Sequence, residues 1–316
     1  MSSASLPGVR SLFSDVDHYV DCRRTFLLRV KWVSDRMPRW CASVFPSLVD
    51  AMVTSKTGSV AALSSREHSS PFRVLSVGTG AGEINGMMIG HLKEKFPRIR
   101  CTVVEPCVNE IRKYQNYVIE NKDEFKDIQF EWFGDTFEAF VRSGIEDING
   151  KIKQFNFIEA VEAVYYLSNH EDALEEMYDS LAPGGLLLII VAANNGGYHN
   201  LWKQHGDILG DDRMNFITSA DVKDAFKKKG IPFSAVPEPN GSRVDISEVF
   251  DENSDVGNRI LDFLTHICHF RKSVPQHIQD DLMSLLKSKK CSEIIDGRVL
   301  FNNSFEAIIV HRVLSH

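Results

Sequence analysis

The sequence predicts an α/β fold: a mostly parallel sheet with helices on both faces, completed by a C-terminal antiparallel hairpin and carrying a smaller second region. Three observations predict it. Short β-branched or apolar runs alternate with helical stretches from Phe72 to Val191, the pattern of successive βαβ units. The first run stops at three closely spaced glycines, Gly78, Gly80 and Gly82, which reads as strand, tight turn and helix. The chain ends in two apolar runs on either side of Asn302-Asn303-Ser304, the pattern of a hairpin. Five parallel strands closed in this way differ from the sheet of NAD-binding domains.

The elements follow in order. Residues 1–55 read as a helical N-terminal cap, with Tyr19, Arg23 and Phe26-Leu27 at helical spacing and Pro38 and Pro46 as punctuation. Residues 56–71 are small and polar and read as a linker. The core spans 72–195. Its first strand is Arg73–Val77, and Ile84, Met87, Met88, Ile89 and Leu92 continue as a helix. Thr102–Val104 is a second strand that ends in an acid, Glu105, and Tyr114–Ile119 is helical. Ile128–Trp132 and Phe155–Ile158 are further strands. The fifth, Leu186–Val191, is entered through a turn at Ala182-Pro183-Gly184-Gly185. Residues 196–316 read as lid and substrate-side insertions plus the closing strands. They hold a helix over Asp221–Lys229 stopped by Gly230, a strand-like run Val244–Val249 and a helix with an aromatic face over Ile260–Phe270. The hairpin strands are Val299–Phe301 and Ala307–Val310.

Composition narrows the function. At 316 residues, 43% hydrophobic and 25% charged, the chain can bury a core without disulfides or metals. A net charge of −7 argues against nucleic acid, which wants a basic surface. No run of about 18 apolar residues is present, so no membrane span is expected, and the first ten residues lack the apolar stretch of a signal peptide. The six cysteines are scattered and form no C-x-x-C pair, as expected of reduced, mostly packed thiols in a cytoplasmic protein, which is expected to be a monomer. His266, Cys268 and His269 fit no usual ligand frame, so no metal is expected.

The chemistry sits around the glycines. A Gly-x-Gly-x-Gly bend brings a ligand against bare amides and could hold NAD, a flavin or S-adenosylmethionine; it is one residue shorter than the dinucleotide fingerprint. Glu105, at the end of the next strand, can accept both ribose hydroxyls of an adenosine. Pro183-Gly184-Gly185 precedes an apolar strand. In this order the three resemble S-adenosylmethionine-dependent methyltransferases with a Rossmann-like class I sheet.

A nearer resemblance is to the histamine N-methyltransferase family. It is carried by Arg10-Ser-Leu-Phe-Ser-Asp15 with Tyr19, by Leu75 to Ile84, by Val103-Val104-Glu105-Pro106 and by Val164-Tyr165-Tyr166-Leu167. Leu201-Trp202-Lys203, Val244-Asp-Ile-Ser247, Asp262-Phe263-Leu-Thr265 and Val299-Leu-Phe-Asn-Asn303 complete it. The resemblance implies that Gly78, Gly80, Gly82 and Glu105 hold S-adenosylmethionine, with Val161 on the adenine side. It implies an aromatic box for a small amine from Tyr19, Tyr165, Tyr166, Tyr198, Trp202 and Phe263, with Asn303 hydrogen-bonding the substrate ring. Four positions depart from the family. Counted without gaps from Tyr19, Trp32 stands where the family has a substrate-binding glutamate, and Glu162 stands where it has a glutamine. Phe137, beside Thr136, replaces a cofactor-side serine, and Glu110 replaces a glutamine near the ribose. One pocket carboxylate is thus lost and another gained. Either Glu162 supplies the acid from the opposite wall, or Asp35 does, or Glu162 turns away.

The expected chemistry is methyl transfer to an imidazole nitrogen of histamine. It is governed by in-line alignment rather than acid–base catalysis, since imidazole is largely neutral near pH 7. A primary amine would need to lose a proton, and Glu162 could accept it. The departures leave open another acceptor, such as an imidazole dipeptide like carnosine or another biogenic amine, and a binding protein without turnover.

Overall fold

The computed structural model describes residues 8–54, 60–64, 70–144, 154–209 and 214–312. Its strands are β1 (Phe72–Val77), β2 (Ile99–Val104), β3 (Ile128–Phe133), β4 (Phe155–Val161), β5 (Leu181–Ala192), β6 (Ser234–Pro237), β7 (Arg243–Asp245), β8 (Ser292–Ile295), β9 (Arg298–Asn302) and β10 (Phe305–His311). The chain divides into two compact units of discontinuous segments.

One unit comprises Val33–Val191, Val222–Val236 and Ala307–His316. It is built on a seven-stranded sheet of order β3-β2-β1-β4-β5-β10-β6. β1 runs parallel to β2 and β4, β2 to β3, and β4 to β5. The inner strands β1, β4 and β5 are buried on both faces, which is why they read as continuous apolar runs rather than alternating ones. Helix Phe45–Thr54 packs on helix Glu83–Lys95, and the Phe45 ring meets Phe157 of β4 edge-on at 5.5 Å. The chain leaves β1 toward β2 on one side and β4 lies on the other, so the carboxyl ends of β1 and β4 flank a topological switch point. In open α/β sheets that crevice is where ligands bind.

The other unit comprises Met1–Trp32, Ala192–Asp221 and Pro237–Glu306. Its three-stranded antiparallel sheet has the order β7-β9-β8. Helix Val16–Val30 packs on helix Asp255–Thr265. Each helix starts on a side-chain cap: Asp15 accepts from the His18 amide at 3.1 Å and Ser254 from the Gly257 amide at 3.0 Å.

The α/β class and the mostly parallel sheet agree with the sequence reading, and several local features correct it. The two closing strands are not a hairpin: β9 pairs with β7 and β8, whereas β10 enters the large sheet between β5 and β6. Both runs are apolar and separated by a turn signal, and only their tertiary partners distinguish the two arrangements. Pro183-Gly184-Gly185 is not a turn before β5 but lies inside it, at a register irregularity where Phe155 pairs with Leu181 and Phe157 with Leu186. Proline and glycine are tolerated at such a bulge. The helix expected over Ile260–Phe270 starts earlier and stops at Thr265, because His266 turns left-handed. Val244–Val249 is strand only to Asp245 and then a short helical turn, Ser247–Phe250. Within the expected linker, Val60 and Leu63 are buried around a turn at Ala61–Ser64; residues 55–59 and 65–69 lie outside the described residues. No helix among the described residues is long and apolar enough to cross a membrane.

Candidate functional site

The glycine bend follows β1 and opens helix Glu83–Lys95. Its φ angles are +66° at Gly78, +55° at Gly80 and +85° at Gly82, values that L side chains rarely adopt. Two of these positions are also tightly packed. A Cβ on Gly78 would lie 2.6 Å from the Ala163 Cβ, and one on Gly82 would fall into the Tyr114 ring. The Gly78 amide donates to Val104 O at 2.8 Å, which ties the bend to the end of β2.

Glu105 follows β2 directly and is 7% exposed. Its Oε2 accepts from the Gly80 amide and its Oε1 from the Cys107 amide, each at 2.9 Å. The carboxylate therefore locks the middle of the bend to the chain that follows β2. Glu110 flanks the same bend, with Oε2 3.8 Å from the place a Gly80 Cβ would occupy and Oε1 taken by Lys113 Nζ at 2.6 Å. Thr136 and Phe137, expected on the cofactor side, open the next helix. The Thr136 hydroxyl caps helix Phe137–Arg142 through the Ala139 amide at 3.2 Å. The Phe137 ring is buried beside Phe140.

Beneath the bend, Gly78, Thr79, Ile84, Asn85, Glu159 and Val161 line a cavity of about 30 Å³, room for a water molecule or one small polar group. Val161, expected on the adenine side, thus stands at the rim of the bend. Asn85 Nδ2 donates to Ser76 Oγ at 2.6 Å and to Glu159 Oε1 at 3.1 Å, while the Tyr114 hydroxyl donates to Asn85 Oδ1. Burial pushes the Glu159 carboxyl up to about 7, against hydrogen bonds from Ser76, Asn85 and the Val161 backbone that pull it down. Sequence reasoning missed Asn85 and Glu159. The available signal was an acid in the middle of the apolar run Phe157-Ile158-Glu159-Ala160-Val161.

The carboxyl end of β4 carries the next group. Glu162 has φ +52° and its amide donates to Ile190 O at 2.8 Å. A non-glycine residue in the left-handed region costs on the order of 1 kcal/mol, and strain of this kind clusters at functional sites. The Tyr165 hydroxyl donates to Glu162 Oε2 at 3.0 Å. Tyr165 is buried, and Tyr166, 44% exposed, meets it edge-on at 6.2 Å. Ala163, the residue against Gly78, lies between Glu162 and this tyrosine pair. The bend and the pair are therefore neighbours within one unit.

The remaining expected substrate residues belong to the other unit, where they form a chain of ring contacts. Phe263 meets Phe26 at 4.9 Å, Phe26 meets Tyr198 at 6.3 Å, and Tyr198 meets Trp202 at 4.8 Å and Phe301 at 5.2 Å. Trp202 continues to Phe216 at 5.5 Å. His266 meets Phe263, Phe13 and Phe216, and Phe13 meets Tyr19 at 4.4 Å. Burial lowers His266 to about 4, so it is a neutral imidazole among rings at neutral pH. Phe13, Phe26, Phe216, Phe301 and His266 join this chain of rings although sequence reasoning did not single them out for it, because packed aromatics carry no local signal of their partners. Asn303 is held by its amide, which donates to Ser242 O at 3.0 Å. The Trp32 side chain lies outside the described residues. Asp35, the alternative acid, is paired with Arg39 one turn on, at 2.8 Å.

The family described as a methyltransferase domain matches residues 52–231. A histamine N-methyltransferase from Xenopus tropicalis is 31% identical over 308 residues, 96% of this chain and 99% of that protein. The one from Mus musculus is 29% identical over 305 residues, 96% of this chain and 97% of that protein. Among solved structures, the YcgJ protein of Bacillus subtilis superposes with a TM-score of 0.47 at 13% identity, covering 81% of this chain and 97% of that one. Kinship of this extent, on a parallel sheet with a glycine bend at its switch point, means that the chain belongs to the histamine N-methyltransferase family.

Proposed function

We propose that the protein transfers a methyl group from S-adenosylmethionine to an imidazole nitrogen of histamine. The observation that carries this reading is the packing of Gly78 on Ala163. It sets a nucleoside-type bend beside a carboxylate and two tyrosines. The bend fits the cofactor: three glycines leave its backbone uncovered by side chains, and Glu105 braces it through the Gly80 and Cys107 amides. Gly78, Gly80, Gly82 and Glu105 would hold the nucleoside, with Val161 against the base and Glu110 near the ribose. When bound, S-adenosylmethionine supplies an electrophilic methyl group on a sulfonium centre. The protein's own residues then have three tasks. Glu162, held by the Tyr165 hydroxyl, would pair with the ammonium of the amine. Tyr165 and Tyr166 would present ring faces to the cation and orient the imidazole. Fixing the acceptor nitrogen in line with the methyl is a proximity effect and needs no general base. We also place the protein in the cytoplasm as a monomer; six free cysteines, five of them buried, support a reducing compartment.

The direct test is a methylation assay over a panel of amines with purified protein, read by mass spectrometry. Histamine is expected to be the best acceptor and to gain the mass of one methyl group in place of a hydrogen. Faster transfer to an imidazole dipeptide or another biogenic amine would replace histamine as the acceptor. That second reading is favoured by one observation, the carboxylate at Glu162 where the family has a glutamine. Two variants probe the roles. Glu105→Ala is expected to weaken cofactor binding by about 10- to 100-fold, as loss of charge-assisted hydrogen bonds implies, measured by calorimetry. Glu162→Gln is expected to raise KM for histamine about fivefold to tenfold at nearly constant kcat, the signature of lost ground-state binding. An unchanged KM would remove Glu162 from the amine site.

A further inference from the structure

Glu159 stands inside β4, 2% exposed, between Ser76 of β1 and Leu188 of β5. Three donors converge on its carboxyl: the Asn85 side-chain amide at 3.1 Å, the Ser76 hydroxyl and the Val161 backbone. Donors alone suit a carboxylate, which only accepts. Among the described residues, however, no cation acts on this carboxyl. The titratable groups that feel its charge supply none. Cys41 lies on helix Met37–Ser43, Cys101 on β2 and Tyr114 on helix Val108–Glu120, and burial pushes all three upward, so they stay neutral near pH 7. Glu83, which acts on Tyr114, is itself an acid. The carboxyl is therefore dressed for a negative charge and short of a positive one.

The same group is built into the glycine bend. Glu159 and Asn85 share the cavity of about 30 Å³ with Gly78 and Thr79 of the bend. Asn85 sits in the first turn of the helix that the bend opens, and Ser76 stands two residues before Gly78. Asn85 is tied in turn to Tyr114, the ring that walls Gly82. Hydrogen bonds thus join the carboxyl to the chain on both sides of the bend, and all these residues belong to one unit.

We propose that Glu159 sets the preference of the bend for a cationic nucleoside over its neutral thioether product, the ligand's own positive charge being the counter-charge that the buried carboxyl lacks. The inference rests on the reading of the bend as an S-adenosylmethionine site and adds to it how charge is recognised there. A sulfonium is positive, and loss of its methyl group leaves an uncharged thioether. A cation brought near a buried carboxyl favours the ionised form, and by linkage the ionised carboxyl favours the cation by the same factor. Glu159 is poised for this, because burial holds it at about 7, where a modest charge nearby moves its proton. The proton passes from Glu159 to solvent as the cation binds, and one returns once transfer has removed the charge. The carboxyl therefore strengthens cofactor binding without strengthening that of the product, which favours exchange of spent for fresh cofactor.

The test is calorimetry of the full chain with S-adenosylmethionine and, separately, S-adenosylhomocysteine, in buffers of different ionisation enthalpy from about pH 6 to about pH 8.5. The wild-type chain is expected to release about half a proton more with the cofactor than with the product near pH 6.5, a difference that fades toward pH 8.5. Its preference for cofactor over product is expected to rise about fivefold to tenfold over that range, as when one ionisation moves by roughly one pH unit. Glu159→Gln keeps an oxygen to accept from Asn85 and leaves Glu105 and Glu162 in place, and it should lose both effects. A carboxyl with a purely structural role would change the two affinities alike and leave their ratio flat. Equal proton release with the two ligands, or a difference and a pH-dependent preference that persist in Glu159→Gln, overturns the proposal and leaves the methyl-transfer reading standing. Failure of the cofactor to bind at any pH overturns both.

Discussion

Gly82→Ala is expected to destabilise the fold by about 3–5 kcal/mol, the sum of a left-handed backbone penalty and overpacking, and to abolish measurable cofactor binding. Gly82 has φ +85°, and its missing side chain is filled by the Tyr114 ring. That ring cannot yield. Tyr114 is fully buried, with Trp132 edge-on at 5.1 Å and Phe130 at 5.8 Å, and its hydroxyl is tied to Asn85. The new methyl must therefore push the bend outward, into the crevice a ligand would use. Gly230→Ala separates the two costs. Gly230 has φ +67° but nothing within 4 Å of its would-be Cβ, so it should show only the left-handed backbone penalty of about 1–2 kcal/mol. Thermal unfolding and calorimetry on the pair of variants decide the matter. If Gly82→Ala behaves like Gly230→Ala in both measurements, the Tyr114 ring is not the fixed wall described here.

The same contrast explains what was legible in the sequence. The bend, Glu105 and the first four strands could be read because each follows from a local rule. Glycines mark positive φ, an acid follows a strand, and buried parallel strands are apolar throughout. The pairing of β9 and β10 was not legible, since two apolar runs around Asn302-Asn303 satisfy a hairpin and a split between two sheets equally well. The reading of Pro183-Gly184-Gly185 failed for a related reason: proline and glycine mark a bulge as readily as a turn. Glu159 and Asn85 escaped because their partners, Ser76 and Tyr114, come from two other elements, β1 and helix Val108–Glu120. The Glu162–Tyr165 bond spans three residues and is local, yet nothing in the string shows that Glu162 turns left-handed to make it.

Glu159→Gln is expected to stabilise the protein at pH 8 by up to about 3 kcal/mol, the equivalent of a shift between 4.5 and about 7 at 1.36 kcal/mol per unit. The folded protein holds the Glu159 proton up to about pH 7, whereas the unfolded chain releases it near the ordinary 4.5. Between those values the folded state binds more protons, so stability falls as pH rises, and above pH 7 the full penalty is present. Among the described residues no cation stands beside this carboxyl to offset its charge. The neighbours Cys41, Cys101 and Tyr114 are themselves pushed upward by burial and stay neutral. His266 acts in the opposite sense. It takes up a proton near 6.5 when unfolded but only near 4 when folded, so its contribution is lost as pH drops through that window. From about pH 4.5 to 6.5 the two slopes oppose each other, and these groups together leave the wild-type profile nearly flat there. Glutamine keeps an oxygen to accept from Asn85 and removes only the titration. The variant should therefore expose the His266 slope, gaining stability up to pH 6.5 and holding it beyond. Melting curves of both proteins from pH 4.5 to 8 test this. A variant whose profile overlays the wild type would mean that Glu159 ionises at its ordinary value, and that the cavity under the bend is wetter than its lining residues imply.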